Sequence, residues 1–233
     1  MLKNNRIRNY FFYAIGEIVL VVVGILLALQ INNWNENRKR QALKDNYLQS
    51  LRSDLKDDLE GLNTRLEFEE ENIEQLRNFK NRLSSAEASV DTLIQIARYE
   101  FHPFIYPPSN FSNSTYNALI ATGDIDLLNP SLIQSLNELY KLQKESSETM
   151  EWSSNLYRTH IGAYARKYTM NIEPTTISDG PLNKEIWKNV DTGELASELN
   201  GVTGLKRNQH RVAKDNLRTV LEKTKEVLKE LGE

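Results

Sequence analysis

Residues 10 to 31 read YFFYAIGEIVLVVVGILLALQI, an almost wholly apolar run in a chain whose mean hydropathy is −0.55. As a helix, 22 residues reach roughly 33 Å, the thickness of a bilayer's hydrocarbon core. Lys3, Arg6 and Arg8 precede the run, so a cleaved leader is the competing reading. A cleavage site needs small residues one and three places before the cut. Ala28 would put Leu26 in the wrong place, and Asn32, Asn33 and Asn35 offer no small pair. The run therefore reads as an uncleaved transmembrane helix, residues 10 to 33, behind a short basic tail, residues 1 to 9. Aromatic residues sit at both ends, Tyr10 to Tyr13 and Trp34, where the interfaces would lie. Basic residues flank both sides, with Arg38, Lys39, Arg40 and Lys44 beyond the span. The short basic tail followed at once by the span favours a signal anchor: N-terminus cytoplasmic, C-terminal part periplasmic, inner membrane, single pass.

Glu17 and Gln30 disobey the apolar rule. Gln30 is near enough to the far end to reach headgroups. A carboxylate at Glu17 costs about 2.5–3.5 kcal/mol on insertion scales, which the surrounding aliphatic residues outweigh. Seven and eleven residues on, at about 100° per residue, Gly24 and Ala28 return to within about 20° of the Glu17 face. Gly24-x-x-x-Ala28 is a small-xxx-small step that lets two backbones approach, and a carboxylate on that seam would face protein rather than lipid. Glu17, Gly24 and Ala28 are thus the expected seam of a self-associating membrane helix; the plainer alternative is a monomeric anchor.

The stretch YAIGEIVLVVVGILLALQINNWNENRK, residues 13 to 39, resembles the N-terminal signature of a large uncharacterised family of Bacteroidota single-span membrane proteins, a domain-of-unknown-function family. Gly16, Glu17, Gln30, Asn32, Trp34 and Asn35 carry the resemblance, and Thr115-Tyr116, Gly123 and Leu127-Leu128 in STYNALIATGDIDLL echo it. It implies membership along the full length, a membrane location and a single-span architecture. It implies no activity, substrate or catalytic residue.

Beyond the span, residues 36 to 84 hold no proline and one glycine, Gly61. Leu43, Tyr47, Leu51, Leu55 and Leu59 step by four; Leu62, Leu66, Ile73, Leu76 and Leu83 continue with Glu69 and Lys80 in seam positions. The spacing predicts one long amphipathic, coiled-coil-like helix over residues 34 to 85, with Gly61 its weakest point. Glu67, Glu69, Glu70, Glu71 and Glu74 read as a solvated acidic face, since no Glu-x-x-His pair accompanies them. Residues 86 to 233 read as an antiparallel helical bundle, so the expected class is all-α. Its parts are a short helix over residues 90 to 100 capped by Ser89, a brief helix over 114 to 121 closed by Gly123, and a long helix opened by Asn129-Pro130 and running to about residue 170. Weak helices near 183 to 190 and 194 to 200 follow, punctuated by Gly193, Gly201 and Gly204, and a confident one closes the chain over 205 to 231. Tyr157, Ile161, Tyr164 and Tyr168 share one face and read as core. Asp124 and Asp126 read as capping and turn residues.

One stretch is not helical: FHPFIYPPSNFSN, residues 101 to 113. Three prolines hold it extended, and Phe101, His102, Phe104, Tyr106 and Phe111 make it adhesive. It is the candidate partner or ligand loop, set against the plainer reading of a loop packed on the bundle.

The charge count of 29 Lys+Arg against 32 Asp+Glu, net −3, gives no basic excess for nucleic acid. Zero cysteines remove disulfides, thiolate metal sites and cysteine nucleophiles. No phosphate-binding glycine loop, Gly-x-Ser-x-Gly or His-Glu-x-x-His occurs, and His102, His160 and His210, spread over separate segments, read as partly exposed. The expected protein has no cofactor, no metal and no enzymatic activity. Its expected partners are the bilayer, its own copies and an envelope protein. The expectation is a membrane-anchored interaction or sensory module; the alternative is an assembly that conducts ions or protons, or transmits force, through Glu17.

Overall fold

A computed structural model describes residues 3 to 105, 111 to 171, 176 to 178 and 180 to 232. The described residues are helical throughout their regular structure and contain no strand, an all-α fold. The first helix, α1, is unbroken from Lys3–Leu83, 81 residues. The apolar run and the amphipathic helix behind it are therefore one rod, passing through both NNWNEN and Gly61. Described side chains from residue 13 to 43 are exposed on all sides, and burial begins only as Tyr47, Leu48 and Leu51 meet the rest of the chain. From Asn32 to Leu43 that leaves roughly 18 Å of polar helix between the apolar run and the bundle.

α2 (Val90–Gln95) is capped as expected, Ser89 Oγ accepting from Thr92 N at 3.2 Å, and winds into a π-helical turn at Ile96–Glu100. α3 (Ser114–Thr122) stops at Gly123, whose φ of +76° suits glycine, and a 3₁₀ turn, Asp124–Leu127, leads on. α4 (Pro130–Lys167) begins at the Asn129-Pro130 signal. α5 (Pro181–Lys188) is short, and α6 (Thr192–Glu230) is one helix where the glycines suggested two. Gly201 and Gly204 do not break it, because Leu195, Leu199 and Val202 are buried along its inner face. That burial outweighs a helix cost of about 1 kcal/mol per glycine. Asp191 accepts from Glu194 N at 2.9 Å and starts it.

α1, α4 and α6 form the bundle. Asp58 of α1 meets Gln143 of α4, and Leu76 shares a core with Tyr164, so these two helices run the same way. α6 runs against both: Arg52 donates to the Leu231 carbonyl, and Glu69 meets His210. Two apolar cores result. The proximal one gathers Leu51, Leu55, Leu62 and Leu66 with Leu132, Leu136, Leu139, Leu217 and Val220. The distal one gathers Leu76, Phe79, Ile96, Phe101, Tyr164, Tyr168, Leu195 and Leu199. Phe79 takes the inner position that the seam reading gave to Lys80, which is exposed. Asn183 and Trp187 fasten α5 to residues 169 and 177, Trp187 Nε1 donating to the Thr169 carbonyl at 2.9 Å.

Candidate functional site: seam, crossing segment and buried polar layer

Glu17, Gly24 and Ala28 lie on the bare part of α1. Glu17, Gly24 and Ala28 are exposed, and a Cβ built on Gly24 meets nothing within 4 Å. Glu17 has no hydrogen-bond or ion-pair partner among the described residues. Around it Leu20 is 74% exposed and Leu26 57%, an apolar surface far beyond what a monomer leaves in water. α1 is the one helix among the described residues long and apolar enough to cross a membrane.

The described ends of the segment 101 to 113 sit on different cores. Phe101, 1% exposed, belongs to the distal core, edge-on to Tyr164 with centroids 5.7 Å apart. Tyr157 Oη donates to the Pro103 carbonyl at 2.5 Å, and Lys206 Nζ to the His102 carbonyl at 2.5 Å. At the other end Phe111 packs on the proximal core. Asp58 Oδ1 accepts from Ser112 N at 2.8 Å, and Asp54 Oδ2 from Thr115 N at 3.2 Å, so carboxylates of α1 cap the start of α3. The side chains of His102 and Phe104 face outward in edge contact, centroids 5.5 Å apart. Tyr106 lies outside the described residues. Burial and the nearby Lys206 charge lower the pKa of His102, so its ring is held toward the neutral form.

Between the two cores lies a polar layer that periodicity did not reveal. Glu69 of α1 is fully buried and His210 of α6 is 1% exposed, correcting both the solvated acidic face and the partly exposed histidine. Glu69 Oε1 accepts from Arg65 Nε at 2.6 Å, and Oε2 from His210 Nδ1 at 2.5 Å. A carboxylate only accepts, so that nitrogen carries the proton. His210 Nε2 has no partner among the described residues. Ser153, Ser154, Gln209 and Lys206 are buried at the same level, and desolvation drives the Lys206 pKa down from 10.5 to about 8, opposed by Glu69. The sequence signal was present in Glu69 falling on the apolar seam. A lone glutamate in a heptad position looks the same whether water or a histidine 141 positions away receives it.

A pair within the proximal core repeats the theme. Gln143 Nε2 donates to Asp58 Oδ2 at 3.0 Å, and burial raises the Asp58 pKa against its hydrogen bonds. Among the described residues no cluster of histidine, aspartate and glutamate fits a metal ion. Tyr47 Oη donates to Asp124 Oδ2 at 3.0 Å, tying the 3₁₀ turn to α1.

No curated protein and no solved structure matches the chain. Residues 17–159, from Glu17 through the crossing segment and into α4, match the model of a family of unknown function, DUF6090. The chain therefore belongs to the DUF6090 family of unknown function.

Proposed function

We propose that the chain is a membrane-anchored, self-associating and non-enzymatic interaction or sensory module of the cell envelope. Its N-terminus is cytoplasmic and its bundle periplasmic, held off the inner membrane by the polar part of α1. The observation that carries this reading is the continuity of α1, whose apolar run and core-forming leucines belong to one helix without a joint. An event at the bundle that shifts α1 is thereby delivered to the seam of Glu17, Gly24 and Ala28, and the reverse. His102 and Phe104 are the exposed contact point of the crossing segment; Phe101 and Phe111 hold that segment in place.

The absence of native cysteine supplies the test. In intact cells, Lys184→Cys reacts with an impermeant maleimide if the bundle is periplasmic, and Ala28→Cys cross-links to a second copy if the seam pairs. A Lys184→Cys variant labelled only after lysis refutes the orientation, and an Ala28→Cys variant that stays monomeric refutes the pairing.

A second reading is favoured by the lack of any partner for Glu17 among the described residues. Several copies would set a ring of carboxylates in the membrane, a path for cations or protons. Flux through the reconstituted wild-type protein that Glu17→Gln abolishes supports it; a wild-type protein without flux excludes it.

A further inference from the structure

At the end of the bundle far from the apolar run, the last turns of α1, α2 and the first half of α6 border a half-open trough of about 590 Å³. Phe79, Leu83, Val90 and Leu93 form its apolar wall. The α6 side sets the small residues Gly193, Ala196 and Gly204 beside Asn200, Thr203 and Arg207. A Cβ built on Gly204 meets nothing within 4 Å. Among the described residues no packing contact asks for glycine there, although glycine weakens a helix interior. The space it leaves belongs to the trough.

The charged residues of the lining are Lys80 and Arg207, both exposed and neither paired with a carboxylate among the described residues. Their neighbours at this end are different: Arg77 pairs with Glu74, Arg82 with Glu100 and Lys167 with Glu194. An aliphatic and aromatic wall edged by two unneutralised cations calls for a ligand with an apolar body and an anionic head. Size narrows the choice. A four-turn helix about 10 Å across displaces roughly 1,600 Å³, so it would lie largely outside this space, whereas one alkyl chain with its headgroup lies within it.

We infer that the trough is a binding site for a free long-chain acyl carboxylate, its chain against Phe79, Leu83, Val90 and Leu93 and its carboxylate at Lys80 and Arg207. The site lies wholly outside the apolar run of α1, so it stands independently of how that run is used.

The test uses the full-length protein in nanodiscs of zwitterionic lipid and a 16-carbon fatty acid bearing a terminal diazirine, with adducts mapped by peptide mass spectrometry. Expected are adducts within residues 76 to 93 and 192 to 207 that unlabelled palmitate competes away. Gly204→Leu fills the trough from a position with room for a side chain, and should remove those adducts while leaving helicity and labelling of the apolar run unchanged. Lys80→Gln with Arg207→Gln should cut labelling by the acid about tenfold, the loss of a charge-assisted contact, and leave labelling by the matching diazirine alcohol unaltered. Adducts confined to residues 13 to 31, trough adducts that survive Gly204→Leu, or acid labelling undiminished in the charge variant would each overturn the assignment. Displacement of the probe by an acidic amphipathic peptide and not by palmitate would overturn it in favour of a protein partner.

Discussion

Glu69 and His210 show how a bundle carries paired polar groups in its interior. Both oxygens of Glu69 are occupied, by Arg65 and by His210, so the carboxylate is tolerated where an unpaired one would not be. Glu69→Ala leaves Arg65 and His210 facing a void. We expect it to lower unfolding stability by about 3 kcal/mol, measured by urea denaturation of the detergent-solubilised protein. The double variant Glu69→Met, His210→Leu should recover part of that loss, because His210 is replaced together with its partner while Arg65, 14% exposed, still loses the carboxylate it pairs with. Lys206 adds a pH dependence. Its folded pKa is about 8 against 10.5 for the free side chain, so between those values the unfolded chain binds more protons and stability rises with pH. The rise is on the order of 3 kcal/mol. Burial raises the hydroxyl pKa values of Tyr140, Tyr157 and Tyr164; above about pH 10 these ionise first in the unfolded chain, and stability falls again. The urea midpoint should therefore climb from pH 8 to 10 in the wild type and stay flat over that range in Lys206→Met.

At the scale of elements, α6 was misread at its glycines. Gly201 and Gly204 look like stops along the chain, yet each sits on an exposed flank of a helix whose inner face is buried. A Cβ at either meets nothing within 4 Å. Gly201→Ala and Gly204→Ala should each raise stability by about 0.5–1 kcal/mol, seen as a higher thermal midpoint by circular dichroism. Gly123→Ala should do the reverse, by about 1 kcal/mol, because φ of +76° strains any residue with a side chain. Asp191-x-x-Glu194, which starts α6, has the pattern of a helix cap, but the sequence reading passed over it for the glycines at 193, 201 and 204. The start of α3 was read at residue 114, but not the group that holds it, since the Thr115 amide is met by Asp54, 61 residues away in sequence. The crossing segment divides in the same manner. Its prolines announced an extended chain, but nothing local distinguishes Phe101, buried beside Tyr164, from Phe104, half exposed.

At the scale of the whole molecule, one helix joins a bare apolar run to a packed bundle, and the two parts should respond separately to substitution. Among the described residues none outside α1 touches the seam, so Gly24→Ile with Ala28→Ile should weaken self-association in sedimentation measurements without moving the thermal midpoint of the bundle. A midpoint that falls with the seam would mean that copies stabilise one another through their bundles as well. The sequence by itself determined the all-α class, the apolar run, the amphipathic continuation of α1 and the starts of α2 and α4, because each is written in a period or a cap within a few residues. Only the tertiary structure decided that α6 is one helix, that Glu69 and His210 meet, that Lys206 is buried and that the segment 101 to 113 is pinned at both ends. Those outcomes depend on which surfaces face one another across 50 or more positions, and a local pattern records that a side chain will be covered without recording by what.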